Sequence, residues 1–175
     1  MFKLLKEKLA DYDETLSIVE ADPNIFVFEE RVKLLCFYCQ NYNKVHTCPP
    51  RTPKLDYPKI LSEYKHCVVV YCKMSFTDKD FKDVRTKSTN LVHRGLLHLE
   101  KVLRDENYPL VLSLIGGSCK LCKVGCDPVR CRNPYLARVP VEATGINLIE
   151  SLKKIGIDIK FPVTTDISRY GLLFW

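Results

Sequence analysis

Seven of the nine cysteines in this chain fall into two short groups. Cys36, Cys39 and Cys48 are spaced C-x2-C-x8-C within CFYCQNYNKVHTCPP. Cys119, Cys122 and Cys131 repeat that spacing within GGSCKLCKVGCDPVRCRNP, with Cys126 added inside; on the shared spacing, Asn43 stands where Cys126 stands. The pattern suits metal ligation. A C-x2-C turn directs two thiolates at one centre, and later ligands close the site from the far side. Gly116, Gly117 and Gly125 let the backbone approach whatever the sulfurs hold.

Structural zinc sites commonly pair two short knuckles across a longer spacer. Here the four later cysteines form one tight run, and a proline directly follows Cys48, which is the habit of ferredoxin-type clusters. The order C-x2-C-x3-C also differs from the C-x3-C-x2-C of radical enzymes. Two [4Fe-4S] clusters are the expected cofactors, with zinc as the alternative. Cys119, Cys122, Cys126 and Cys131 hold one centre, and Cys36, Cys39 and Cys48 hold the other.

The three-cysteine group lacks a fourth ligand in its own run. His46, Cys67, Cys72 or an exogenous molecule can supply it. His46 reads more simply as a loop histidine. Cys67 and Cys72 bracket an apolar strand and, five apart, face opposite sides of it; packing is the simpler role for both. His98 lies near the apolar stripe of a helix, and His66 and His93 have no convergent partners in sequence. The Gly116-Gly117 pair lacks the phosphate-loop and dinucleotide patterns, and no Ser-His-Asp order stands out.

The elements that must position these groups alternate between helix and strand. The spacing predicts a helix over 2–19, a short strand over 24–28, a short helix over 58–64 and a buried strand over 67–74. A long helix over 81–105, capped by Asp78 or Thr77, carries Val84, Leu91, Val92, Gly95, Leu99, Val102 and Leu103 at helical spacing. A strand over 110–115 follows, so that strand, crossover helix and strand read as a βαβ unit with parallel strands. A helix from Pro140 to Gly156, an alternating strand over 157–161 and a final apolar strand ending at Trp175 complete the reading. The expected fold is α/β, one domain over residues 1–175, with a small mixed or parallel sheet, flanking helices and two cysteine-rich loops.

Composition narrows the function classes. The chain is 46% hydrophobic and 27% charged, ordinary for a globular protein. Its longest apolar run, CVVVYC, is too short to cross a bilayer, and MFKLLKEKLADYDETL lacks the apolar core of a signal peptide. A cytoplasmic protein without a membrane partner is expected, and in that reducing compartment an odd number of cysteines argues against a disulfide framework. The formal charge of +6 is reduced by about three once seven thiolates surround two dicationic cores. With Lys and Arg scattered and no basic tract, a nucleic-acid partner is not indicated.

C-x2-C followed by CPP, then a strand running into G-x-C-x2-C-x3-C-x4-C and a segment bearing EA-x-GI, resembles the predicted metal-binding family known as domain of unknown function 2284. The matching residues are Cys36, Cys39, Cys48, Pro49, Pro50, Gly117, Cys119, Cys122, Cys126, Cys131, Pro134, Arg138, Glu142, Ala143, Gly145 and Ile146, within about residues 30 to 160. The resemblance implies the metal-ligand set and no particular reaction. Arg138 and Glu142, four apart, read either as an ion pair on the helix beginning at Pro140 or as support around the nearby centre.

The leading expectation is a redox protein with a closed four-cysteine cluster for electron relay and a three-cysteine cluster with an open iron for a small molecule. Its partner is a redox protein or small molecule; if it is an enzyme, it is an iron–sulfur-dependent oxidoreductase or converts a small molecule. The alternatives are a zinc-stabilised module that binds protein or nucleic acid, and a carrier of clusters or sulfur.

Overall fold

The computed structural model describes residues 1–175. Its centre is the segment predicted from its run of β-branched residues. Strand β2 (Cys67–Ser75) is buried continuously from Cys67 to Val70 because both of its faces are covered. Strand β1 (Ser17–Ala21) pairs with it on one side and β4 (Asp166–Phe174) on the other; β3 (Leu112–Ile115) pairs with the far side of β4. The order is β1-β2-β4-β3 and every neighbouring pair is antiparallel. The expected parallel pairing does not occur. β2 and β3 run in the same direction and are joined through a helix, but the final strand inserts between them.

Helix α1 (Phe2–Tyr12) and the long helix α4 (Phe81–Asp105) cover one face of the sheet. Leu5 and Leu9 of α1 meet Val92, Leu96, Leu99 and Leu103 of α4 over Val68, Val70 and Leu173. The opposite face packs Phe26, Leu61, Val141, Ile146 and Leu152 against Val69, Leu172 and Phe174, with α3 (Tyr57–Ser62) and α5 (Leu148–Lys153) at its margin. Successive residues of β2 and β4 therefore serve two cores, which is why neither strand alternates polar and apolar.

Several boundaries differ from the expectations. The first helix stops at Tyr12, and SIVEA forms β1. Residues 23–25 form a 3-10 turn; only Phe28, bridged to Ile146, has strand character there. A helix not anticipated, α2 (Glu30–Phe37), carries Cys36 in its last turn. Asp80 precedes α4, and its carboxylate accepts from the Thr77 N–H and hydroxyl. The helix expected from Pro140 is a 3-10 turn at Glu142–Thr144, ended by Gly145 at φ 92° and resumed as α5 after the Asn147 cap. Residues 157–161 pair with no strand; Ile157 and Ile159 merely lie on the second core.

Candidate metal centres

The first cysteine group grows out of α2. The Cys39 N–H reaches the Cys36 carbonyl at 3.1 Å, and the chain then folds through tight turns: Tyr42 to Cys39 (2.9 Å), Cys48 to Val45 (2.9 Å), Asn43 to Pro49 (2.8 Å) and Arg51 to Cys48 (3.0 Å). Cys48 is buried, Cys36 half-buried and Cys39 exposed. The three thiols line a cavity of about 280 Å³ together with Arg85, Gly117 and Glu142. That is room for about nine waters at ~30 Å³ each, far more than one metal ion needs.

The second group is carried by the loop that leaves β3. Gly116 begins it where no side chain fits: a Cβ there would lie 2.3 Å from the Tyr170 carbonyl oxygen. The loop is pinched at its base by Ile115 N–H to Val139 O (3.0 Å) and Val141 N–H to Ile115 O (2.8 Å). Its exit is clamped to α4. His93 Nε2 meets the Leu136 carbonyl at 2.9 Å, and the Arg138 guanidinium donates twice to Glu100, at 2.6 and 2.5 Å. Glu100 is also bonded by Arg104 and by the Ser113 hydroxyl, and these donors hold its carboxyl below the usual range against the cost of burial. Arg138 therefore pairs with Glu100, so that the Arg138–Glu142 ion pair, one of the two readings of the sequence, does not form. Cys119, Cys122, Cys126 and Cys131 are all half-buried, and the Asn133 amide donates to the Cys122 sulfur at 3.2 Å.

The two loops dock on each other at the carboxyl end of β3. Asn41 Nδ2 donates to Ser118 Oγ at 3.0 Å, and the Arg51 Nη1 approaches the Pro128 carbonyl at 3.4 Å. His46 Nε2 lies 2.6 Å from the Asp127 carbonyl, and its Nδ1 faces Arg51 at 3.1 Å. His46 thus ties the loops together through Nε2, while Arg51 of its own loop packs against the ring. Cys67 and Cys72 lie on opposite faces of β2, one in each core, with their sulfurs 3.7 Å from backbone carbonyls. Burial pushes Cys72 up to about 11 and Cys67 well above its ordinary value.

Acidic groups converge around the first site. Burial, then the neighbouring Cys39, Cys36, Glu142 and Cys119, push the Cys48 thiol up to about 12. Cys36 is raised by burial and next by Glu142. Cys119 is raised by burial and, after a compensating Leu121 N–H, by Cys126, Cys131 and Cys122. The Glu142 carboxyl is raised by burial although it accepts from the Gly117 N–H at 3.2 and 3.1 Å. Lys120 is depressed by burial and by Arg85 and Arg169, while Cys48 and Cys39 pull it up. No three His, Cys, Asp or Glu side chains close to the spacing of a single metal ion. Sequence reasoning missed Arg85, Asn133 and the place of Glu142. Arg85 and Glu142 lie far along the chain from the first group, and Asn133, just past the second cysteine run, is not a residue type that ligand spacing singles out.

The chain belongs to the family described as predicted metal-binding protein, DUF2284, whose model matches residues 20–175. No curated protein and no solved structure matches it. No helix is long and apolar enough to cross a membrane.

Proposed function

We propose that this chain is an iron–sulfur redox protein with two [4Fe-4S] centres, one ligated by Cys119, Cys122, Cys126 and Cys131 for electron relay, the other by Cys36, Cys39 and Cys48 for reaction with a small molecule or onward transfer. The observation that carries this reading is that two loops of one cysteine spacing are hydrogen-bonded to each other, Asn41 to Ser118 and His46 to the Asp127 carbonyl. Thiols that raise one another's pKa are poor company for themselves and good ligands for a positively charged core.

The donor set fits such a group. Sulfur ligands select zinc or iron–sulfur centres, and a tetrahedral zinc ion, at ~2.3 Å from each sulfur, draws them to within about 3.8 Å of one another. Ligands of a polynuclear core each sit on a separate iron and stand further apart, and the first three thiols share a cavity with room for such a core. When bound, a cluster supplies one-electron transfer. The chain's own part is to orient and tune: the Asn133 amide withdraws charge from the Cys122 sulfur, while Val32 and Leu35 form the apolar wall of the first cavity. A redox protein or small molecule is the partner, and an oxidoreductase the reaction class.

Paired variants test this. Cys122→Ser and Cys48→Ala, prepared without oxygen, should each lose about half the iron and visible absorbance, from different centres. Full iron in both variants, or a colourless zinc protein, would overturn the proposal.

A further inference from the structure

The first group has three cysteines where the second has four. Asn43, at the position matching Cys126, is turned away to other work: it has a positive φ of 55°, and its side-chain oxygen accepts from Arg51 at 3.3 Å. The candidates foreseen from sequence are also committed elsewhere. His46 is bonded through Nε2 to the Asp127 carbonyl with Arg51 packed against its ring, and Cys67 and Cys72 point into the two cores. A different acid occupies the wall of the cavity. Glu142 lines it with Cys36, Cys39 and Cys48, near enough to Cys36 and Cys48 to oppose their ionisation.

The Glu142 carboxyl has the buried Arg169 guanidinium as an electrostatic neighbour across a second cavity, but no ion pair fixes it. Glu142 makes no salt bridge, Arg138 having gone to Glu100, and its only hydrogen-bond partner outside its own turn is the Gly117 N–H. What the geometry provides is one cavity wall shared by three thiols and a carboxyl, the donor set of a metal centre. Ligating carboxylates are typically held by an outer hydrogen bond that fixes their orientation. The Gly117 N–H supplies one, and it does so from the residue two before Cys119, so the same backbone segment serves both centres.

We propose that Glu142 is the fourth protein ligand of the Cys36, Cys39 and Cys48 centre, so that the chain holds one all-thiolate centre and one with three thiolates and a carboxylate. This rests on the reading of those cysteines as ligands of an iron–sulfur cluster. A carboxylate oxygen is a harder donor than a thiolate, so an iron held through Glu142 would be the more exchangeable corner of the centre. Arg85 lines the same cavity and supplies positive charge for an anionic ligand there.

The test uses anaerobically prepared full-length protein with Glu142→Ala, Glu142→Gln and Glu142→Cys, read by iron content, Mössbauer spectra and electron paramagnetic resonance. The Gln variant keeps an acceptor for Gly117 and so preserves the local fold. Ala and Gln should each lose about one iron per chain, leaving a three-iron core that Mössbauer spectra register directly and that gives its paramagnetic signal after one-electron oxidation with ferricyanide, whereas Cys should retain the wild-type iron content with an all-thiolate spectrum. Wild-type iron content and spectra in the Ala and Gln variants would overturn the assignment. The parent reading fails separately, if Cys48→Ala leaves the iron unchanged.

Discussion

The two cysteine loops share a spacing and are held in place by different means. The first, from Cys36 to Thr52, folds through its own backbone turns and sinks Thr47, Cys48 and Thr52 into the protein. The second has no buried residue, helix or strand from Gly116 to Val139. Between Gly117 and Arg132 it makes one backbone–backbone hydrogen bond, Gly125 N–H to Cys122 O at 3.1 Å. Val124 and Val129 are 82% and 85% exposed. Most loops that long and that bare are disordered or functional. This one is pinched at Ile115 and clamped at Arg138, and between those points it is ordered by a few polar contacts, such as Gly117 to Glu142 and the Asp127 turn, by its four thiols and by the first loop. A site that the fold positions by itself can change a ligand, as the first does. A site that organises its own loop needs a closed set of ligands.

The clamp offers the strongest way to break this contrast. Glu100 is 1% exposed and accepts from Arg138, Arg104 and Ser113. Glu100→Ala leaves the half-buried Arg138 guanidinium unpaired and should cost about 3–5 kcal/mol in chemical denaturation, with iron lost first from the second centre. A change below about 1 kcal/mol would show that the loop exit does not depend on this pair.

Next in size is a pH effect at the same clamp. Burial, with Arg138 and Arg94 nearby, lowers His93 to about 4, against the Leu136 carbonyl and Glu100, which favour the charged form. In the unfolded chain the imidazole takes up its proton below about 6.5. The stabilisation from neutral His93 is therefore complete above pH ~6.5 and is lost as pH falls toward about 4, up to about 3 kcal/mol in all. His93→Leu should flatten this part of the denaturation profile; an unchanged slope would remove His93 from the account.

The smallest effect bears on the comparison itself. Once metal is chelated, trypsin should cut at Lys123, Arg130 and Arg132, all exposed, on the order of tenfold faster than at Lys44 and Arg51. Equal rates would mean that the second loop does not rely on metal for its order.

Much of the fold could be read from sequence where periodicity was long or unbroken. The valine run of β2 and the helical stripe of α4 lie within a residue or two of their expected bounds. Short elements were hidden by their neighbours. SIVEA extended the apolar pattern of α1, and α2 has no buried residue, so no apolar stripe marks it. Ile157 and Ile159 alternate because one side of the chain touches the core, which burial alone produces without strand pairing. The cysteine spacings were legible because local geometry imposes them. Glu142 was not, because Gly145 ends its turn and Glu100 takes Arg138, and both facts are tertiary.

The central claim is that the seven clustered cysteines hold two iron–sulfur clusters, and its most direct test is the metal and sulfide content of protein prepared without oxygen. The account predicts about eight irons and eight acid-labile sulfides per chain, four of each per cluster. Two zinc ions and no sulfide would contradict it.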